Sequence, residues 1–189
     1  AKHFQTMLQS SSLPDDVFGV PNPKLMREQG ILRYNTANML PDAHFAYLDE
    51  LFNGPPGVLN SMLNILNERK FSNGGEVMRC PLITAVSTTN RIHETEELDA
   101  FIDRFLIVRR VNLADSDIAR LKILEAFIEA EDVETVKFPD QIPLKDLYAM
   151  QQAVRKVRVP EFFVEMLESL RTQYVARTQT MITDRRFCW

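Results

Sequence analysis

The sequence has 189 residues, 45% of them hydrophobic and 25% charged, which is typical of a globular chain that buries an apolar core. Its formal net charge of -4 argues against a general polyanion-binding protein. No apolar run approaches the about 18 residues of a membrane-spanning helix, and we expect no signal peptide. Cys80 and Cys188 lack metal-ligand spacing, so we expect a reduced, cytoplasmic setting.

The first predicted element is a strand over residues 3–9, and a loop with helix-start chemistry follows it. Residues 30–34 indicate a short strand before a turn. The apolar run at 45–48 then ends abruptly in two adjacent carboxylates, Asp49 and Glu50. As a buried strand, this run would deliver both carboxylates to the carboxyl end of a sheet, where open α/β folds bind ligands. The run alone is as typical of a core strand that ends in surface acids.

Residues 53–57, Asn-Gly-Pro-Pro-Gly, resemble a phosphate-binding glycine loop only superficially. Such a loop ends in Gly-Lys-Ser/Thr, where the lysine reaches the phosphates and the hydroxyl binds Mg²⁺. Val58 follows Gly57 here, so the segment instead predicts a turn into a helix that runs to about Glu68. The apolar positions that recur at helical spacing in this helix are Leu59, Met62, Leu63 and Leu66.

Residues 70–78 predict a β-hairpin, because Asn73-Gly74 lies between two short extended arms. A second buried strand is predicted over residues 82–88, shortly before Asn90. A third is predicted over residues 105–111.

The pattern becomes helical from Asp115, which is a candidate helix cap. Three helices are predicted there, over residues 115–128, near 144–156 and from Pro160 onward. We therefore predict an α/β part over residues 1–113 and an all-helical part over residues 114–189.

Taken in order, these motifs resemble those of the AAA+ ATPases, specifically the MoxR group and its RavA-like branch. The strings that carry the resemblance are Phe-Ala-Tyr-Leu-Asp-Glu at 45–50, Gly-Pro-Pro-Gly-Val-Leu-Asn at 54–60, Leu-Asn-Glu-Arg-Lys-Phe-Ser-Asn-Gly at 66–74, Ala-Phe-Ile-Asp-Arg at 100–104 and Thr-Asp-Arg-Arg-Phe at 183–187. The resemblance covers nearly the whole chain. It implies a P-loop NTPase α/β fold, with a parallel sheet and flanking helices followed by an all-helical lid, and it implies ATP and Mg²⁺ as cofactors.

The resemblance also implies roles for single residues. Asp49 corresponds to the Mg²⁺-associated Walker B acid, and Glu50 to the carboxylate that polarises the attacking water. Asn90 resembles the sensor-1 residue, although a turn-forming asparagine after a strand is the alternative. Arg104 resembles the arginine finger, which acts on a neighbouring subunit's nucleotide and so requires a ring. Its alternative is a surface salt bridge with a nearby aspartate.

The basic pair near the end of the chain resembles sensor 2, which reaches the nucleotide from the lid. Arg185 corresponds to that residue, Arg186 is a close competitor, and the pair could instead cap a helix end. The hairpin at 70–78 matches the family's pre-sensor-1 insertion, and residues 20–43 fall where the family has its other insertion. In related machines such loops contact substrates or neighbours, whereas the plain alternative is a surface loop without a role.

The sequence departs from the family pattern at the phosphate-binding loop. No Gly-x-x-x-x-Gly-Lys-Ser/Thr motif occurs in it. Because the family has this loop upstream of the strand at 3–9, we expect the chain to be a fragment of a longer ATPase, from the second core strand onward and with a truncated lid. The family's strand order, 5-1-4-3-2, puts the absent strand between those at 82–88 and 105–111. We therefore expect the 189-residue chain alone neither to hydrolyse ATP nor to fold cooperatively.

The resemblance implies a homo-hexameric ATPase that performs chaperone-like remodelling or maturation of protein substrates, with a partner that carries a von Willebrand factor A domain. A DNA-translocating AAA+ motor is an alternative, but it requires clustered basic residues. The hairpin offers only Arg69, Lys70 and Arg79, beside Glu68 and Glu76, so nucleic acid is not the expected partner. A non-catalytic assembly module is the third alternative, should the phosphate loop be absent from the gene.

Overall fold

The computed structural model of the chain describes residues 1–90, 101–112, 116–129 and 141–179. The chain divides into two compact units, one that includes Ala1–Leu106 and one that begins at Ile107. The domain boundary predicted between residues 113 and 114 lies outside the described residues and stays a prediction.

The first unit contains five described strands and three helices. The strands are β1 (His3–Met7), β2 (Phe45–Asp49), β3 (Lys70–Asn73), β4 (Glu76–Arg79) and β5 (Thr84–Ser87). The helices are α1 (Pro14–Phe18), α2 (Pro23–Gln29) and α3 (Pro56–Glu68). Short 3₁₀ turns occupy Leu40–Asp42 and Leu51–Asn53.

Strands β1, β2 and β5 form a parallel sheet with β2 in the centre. Along β2, Ala46 and Leu48 are buried, whereas Tyr47 and Asp49 point to the opposite face and are half-buried. Met7, the last residue of β1, pairs with Asp49, the last residue of β2. Leu48, one residue earlier in β2, pairs with Ser87, the last residue of β5. The carboxyl ends of the three strands therefore meet at one edge, as the sequence predicted for the acidic pair.

Helix α3 covers the core, and its position confirms the helix predicted after the proline pair. Its buried side chains are Val58, Leu59, Met62, Ile65 and Leu66. Leu63, predicted on the same face, is only partly buried. The helix ends at Arg69, which adopts a left-handed backbone (φ 57°) and donates its N–H to the Ile65 carbonyl. The Arg69 guanidinium also donates to the carbonyls of Leu66 and Leu82, so one side chain stabilises both the helix end and the approach to β5.

Strands β3 and β4 form the predicted hairpin, but its turn is one residue later than Asn73-Gly74. Gly74 and Gly75 occupy the turn with φ of 64° and 85°, a conformation that suits glycine. Asn73 stays in β3 and is 9% exposed. Its Oδ1 accepts the Tyr34 N–H at 2.6 Å and its Nδ2 donates to the Tyr34 carbonyl at 3.0 Å. The hairpin and the segment at 20–35 are thus joined.

Two strand predictions are wrong. Of residues 30–34, only Tyr34 forms a bridge, to Pro21. Residues 105–111 contain no strand, and Leu106, Ile107 and Val111 are 61, 82 and 87% exposed. Among the described residues no strand pairs with the second edge of β5. An extended segment gains little without a neighbour to satisfy its backbone groups, so the apolar run alone does not make a strand.

The second unit contains three described helices, α4 (Asp117–Glu129), α5 (Leu144–Val154) and α6 (Glu161–Thr178). They confirm the three helices predicted there, although the predicted cap Asp115 lies outside the described residues. Their apolar side chains are largely exposed, for example Ile118, Leu121, Leu124, Phe162, Val164 and Leu170. In the part of the chain that the structure describes, no helix combines the length and the hydropathy needed to cross a membrane.

Candidate functional site

Asp49 is the last residue of β2 and is fixed by contacts to both neighbouring strands. Its carbonyl accepts the N–H of Leu8 at 2.9 Å, just beyond the end of β1. Its side-chain Oδ1 accepts the N–H of Glu50 at 3.0 Å and the hydroxyl of Thr88, just beyond β5. The other oxygen, Oδ2, accepts no hydrogen bond from the described residues. One carboxylate oxygen therefore remains available to a cation or water at the sheet edge.

Glu50 adopts a left-handed backbone, with φ 49° and ψ 43°. This conformation costs a residue with a side chain about 1–3 kcal/mol, and such residues cluster at functional sites. The backbone turns sharply there, from β2 into the 3₁₀ turn at Leu51–Asn53. Leu51 donates its N–H to the Thr88 carbonyl at 3.0 Å, which ties this turn to the end of β5.

The carboxylate of Glu50 is held by two asparagines. Asn90 donates its side-chain amide to Oε1 and its backbone N–H to Oε2 at 3.3 Å. Asn53 donates its Nδ2 to Oε2 at 3.2 Å. All these donors are neutral, so they orient the carboxylate without adding charge. The structure thus brings together the predicted site residues Asp49, Glu50 and Asn90.

Sequence reasoning missed three residues of this site: Asn53, Tyr47 and Thr88. Asn53 was counted as part of a glycine-rich turn. Tyr47 precedes Asp49 by two residues and therefore lies on the same face of β2, a signal that strand periodicity supplies. Thr88 follows β5 directly, and only the register of β5 with β2 places its hydroxyl on the Asp49 carboxylate.

Arg104 lies elsewhere in the first unit. It follows the helical residues 101 and 102, donates its N–H to the Phe101 carbonyl at 3.0 Å, and is half-buried. It lines a cavity of about 240 Å³ together with Arg69, Asp103 and the apolar residues around them. Asp49 and Glu50 do not line this cavity, so Arg104 is not part of the acidic cluster. Arg185 and Arg186 lie outside the described residues.

Burial shifts the pKa of two groups near the start of β5, Arg69 and Cys80. Desolvation lowers the pKa of the Arg69 guanidinium. Desolvation also raises the pKa of Cys80 to about 11, against the smaller opposing effect of the Arg69 charge. Cys80 is therefore a neutral, buried thiol at neutral pH and does not act as a nucleophile there.

The carboxylate oxygens of Asp49 and Glu50 suit Mg²⁺ in particular. Among the described residues, no group of three or more His, Cys, Asp or Glu side chains converges on a point that could hold a metal ion. Two carboxylates on a strand end do not enclose a cation alone. Mg²⁺ is commonly bound by one or two carboxylates together with substrate phosphates and waters, so the donor set fits a Mg²⁺ ion that arrives with a phosphate ligand.

Comparison with known proteins identifies matching families and structures. Residues 1–152 match a family model described as the MoxR domain in the MoxR-vWA-beta-propeller ternary systems. Two uncharacterized proteins of Methanocaldococcus jannaschii are 29 and 30% identical over 190 residues, 99% of this chain and 47 and 48% of theirs. A structural protein of Acidianus two-tailed virus is 32% identical over 96 residues, which are 50% of this chain and 15% of that protein. The chain thus spans about half the length of the first two relatives.

A solved structure shares the fold. The crystal structure of a putative ATPase from Cytophaga hutchinsonii matches with a TM-score of 0.61 over 90% of this chain and 51% of that one. Its sequence is 15% identical, so the likeness concerns the fold alone. It supports the P-loop NTPase fold expected from the sequence motifs.

Proposed function

Because the chain belongs to the MoxR family of AAA+ ATPases, we propose that the whole protein binds ATP with Mg²⁺ and hydrolyses it at the edge formed by Asp49, Glu50 and Asn90. The chain spans about half the length of the relatives it matches. The activity is therefore proposed for the whole protein, whose phosphate-binding loop would lie outside these 189 residues.

The observation that carries this proposal is the orientation of Glu50. Its carboxylate is hydrogen-bonded by Asn90 and Asn53 at the carboxyl end of a parallel sheet, beside the Asp49 Oδ2, which accepts no hydrogen bond from the described residues. Mg²⁺, when bound, neutralises charge on the transferred phosphoryl group. Asp49 would hold that ion, directly or through water, and Glu50 would accept a proton from the attacking water. Asn90 keeps Glu50 in position and orients the same water.

The remaining roles are proposed from family membership. Arg104 acts as the arginine finger in a homo-hexameric ring and stabilises charge on a neighbour's nucleotide. Arg185, or its neighbour Arg186, acts as sensor 2 from the lid. Hydrolysis drives chaperone-like remodelling or maturation of protein substrates. Since the matching family model is described by MoxR-vWA-beta-propeller systems, a partner with a von Willebrand factor A domain is proposed as well, and placement in the RavA-like branch stays a prediction.

The substitution Glu50→Gln tests the site. It keeps the size and the hydrogen-bonding reach of the side chain but removes the base, so we expect turnover to fall about 10²–10⁴-fold while ATP binding is retained. The measurement is phosphate release by the whole protein, alongside binding of a fluorescent ATP analogue.

The matched control is Glu68→Gln, at the exposed end of α3. It removes the same charge away from the site and should leave turnover unchanged. Normal turnover by the Glu50→Gln protein would refute the assignment of Glu50.

A further inference from the structure

The end of β5 supplies the Asp49 carboxylate with a hydroxyl partner. Thr88 donates its hydroxyl proton to Oδ1 of Asp49. The backbone of Thr88 is fixed as well, since its N–H donates to the Leu48 carbonyl at 3.1 Å and its carbonyl accepts the Leu51 N–H at 3.0 Å. The hydroxyl is therefore held in place by the sheet and by the turn that follows β2.

The hydroxyl of Thr88 has a second neighbour, the phenol of Tyr47. The two oxygens are 3.4 Å apart, and either could donate by geometry alone. A threonine hydroxyl has one proton, and an ionised carboxylate only accepts. Because the Thr88 proton is used on Asp49, Tyr47 must be the donor to Thr88. The hydrogen bonds thus run in one direction, from Tyr47 to Thr88 to Asp49.

The hydrogen bonds that Asp49 accepts determine which of its oxygens is available to a cation. Oδ1 accepts both the Thr88 hydroxyl and the Glu50 N–H, whereas Oδ2 accepts no hydrogen bond from the described residues. Two donors on one oxygen favour this orientation of the carboxylate over the one in which its two oxygens are exchanged. They also reduce the orientational freedom that a cation would otherwise have to remove on binding.

We infer that Thr88 is a positioning residue for the cation: oriented by Tyr47, its hydroxyl locks Oδ1 of Asp49 and reserves Oδ2 for Mg²⁺ that accompanies the nucleotide. The inference rests on the proposed function, because it assumes that Asp49 serves a Mg²⁺-nucleotide complex. Partners that orient a ligating side chain typically change metal affinity by about 10–100-fold when they are removed.

The test measures the Mg²⁺ dependence of nucleotide binding, which is independent of turnover. A fluorescent ATP analogue is titrated onto the whole protein at a series of Mg²⁺ concentrations. For Thr88→Val, which keeps the shape and removes the hydroxyl, we expect the half-saturating Mg²⁺ concentration to rise about 10–100-fold. Thr88→Ser restores the hydroxyl and should return it close to the wild-type value, and Tyr47→Phe should give a smaller rise than Thr88→Val.

The matched control is Thr84→Val, the same change at the exposed first residue of β5, which should leave the Mg²⁺ dependence unchanged. If the wild-type protein shows no Mg²⁺-dependent nucleotide binding, the proposed function is overturned. If the wild type does show it and Thr88→Val matches the wild type, the role of Thr88 alone is overturned. A Thr88→Ser protein as weak as Thr88→Val would also overturn it, because the effect would then not depend on the hydroxyl.

Discussion

At the scale of single residues, Asp42 is a carboxylate whose environment favours its charged form. Lys2 donates its Nζ to both Asp42 oxygens at 2.8 and 2.6 Å, and Asn38 donates its N–H at 2.9 Å. The hydrogen bond from Lys2 is the main cause of the lowered pKa of Asp42, followed by the one from Asn38. This cluster ties the chain before β1 to the 3₁₀ turn before β2.

The lowered pKa of Asp42 predicts a pH-dependent contribution to stability. The folded-state pKa of such a carboxylate lies below its pKa in the unfolded chain, which is near 4. Its contribution to stability is complete at pH values above the unfolded-state pKa and is lost as the pH falls through the folded-state pKa. Asp42→Asn should therefore lower the unfolding free energy by about 0.2–1 kcal/mol at pH 7, because the pair is exposed. Urea titrations at pH 7, 5 and 3 should show this difference shrinking toward the acid end.

The partner substitution provides the control for Asp42. Lys2→Met should reproduce the loss at pH 7, whereas Lys24→Met, at a lysine that forms no ion pair among the described residues, should not. A difference between wild type and Asp42→Asn that stayed constant from pH 7 to pH 3 would contradict the prediction.

The acidic pair could be predicted from sequence, whereas its hydrogen-bonding partners could not. Asp49 and Glu50 follow an apolar strand, and parallel strands end at a common edge, so their location at that edge could be predicted, whereas their roles came from the family resemblance. Asn53 and Thr88 depend on the turn after β2 and on the register of β5, which no local pattern encodes. Arg104 was recognised by resemblance, and the structure places it at a separate cavity.

At the scale of elements, one buried side chain joins the two segments that resemble family insertions. Asn73 satisfies both backbone groups of Tyr34. Around this contact, Phe18, Tyr34 and Phe71 form an aromatic cluster, with the rings of Phe18 and Phe71 stacked at 5.0 Å. Arg33 also pairs with Glu76 across the two segments at 2.7 Å. We expect the hairpin and the segment at 20–35 to open together rather than separately.

The substitution Asn73→Ala tests this connection. It would leave the Tyr34 N–H and carbonyl without their partner in a partly buried position, which costs about 1–3 kcal/mol. The rate of hydrogen–deuterium exchange should rise by the factor that corresponds to this free energy, both in the hairpin and in the segment at 20–35. The control is Asn60→Ala on the exposed side of α3, where alanine favours the helix and exchange in the hairpin should not change. Faster exchange in the hairpin alone would contradict the joint opening.

Every helix predicted within the described residues formed, although α2 was not predicted, whereas two predicted strands did not form, and the reason is physical. A helix such as α3 satisfies its backbone groups within itself, so spacing and a proline start define it locally. A strand depends on a neighbour that is often distant in sequence, as β1 and β5 are from β2. Residues 105–111 have the apolar pattern of a strand, yet they pair with no strand in the described part of the chain, and Ile107 is 82% exposed. The hairpin was predicted correctly because its two strands, β3 and β4, are adjacent in sequence and pair with each other.

At the scale of the whole chain, the division between the two compact units falls in an exposed stretch. Residues 107–112 have no helix or strand, and Arg109 and Arg110 in it are exposed. Exposed, irregular backbone is the preferred site of proteolysis. We therefore expect limited trypsin digestion of the whole protein to cut these 189 residues first after Arg109 or Arg110, as read by the masses of the fragments.

Charge-removing variants check the position of this cut. Replacing both Arg109 and Arg110 by glutamine should delay the first cleavage. The same replacement of Arg155 and Lys156, at the end of α5, should not delay it. A first cut at any other basic residue would contradict the prediction.

The backbone of Glu50 has a consequence for protein engineering. Glycine would adopt its left-handed conformation without steric strain, so selection for heat tolerance alone favours glycine here wherever the relieved strain exceeds the loss of the hydrogen bonds from Asn90 and Asn53. A library ranked by melting temperature would then enrich chains that have lost the carboxylate. Thermostabilisation of this protein should therefore keep position 50 fixed and search elsewhere.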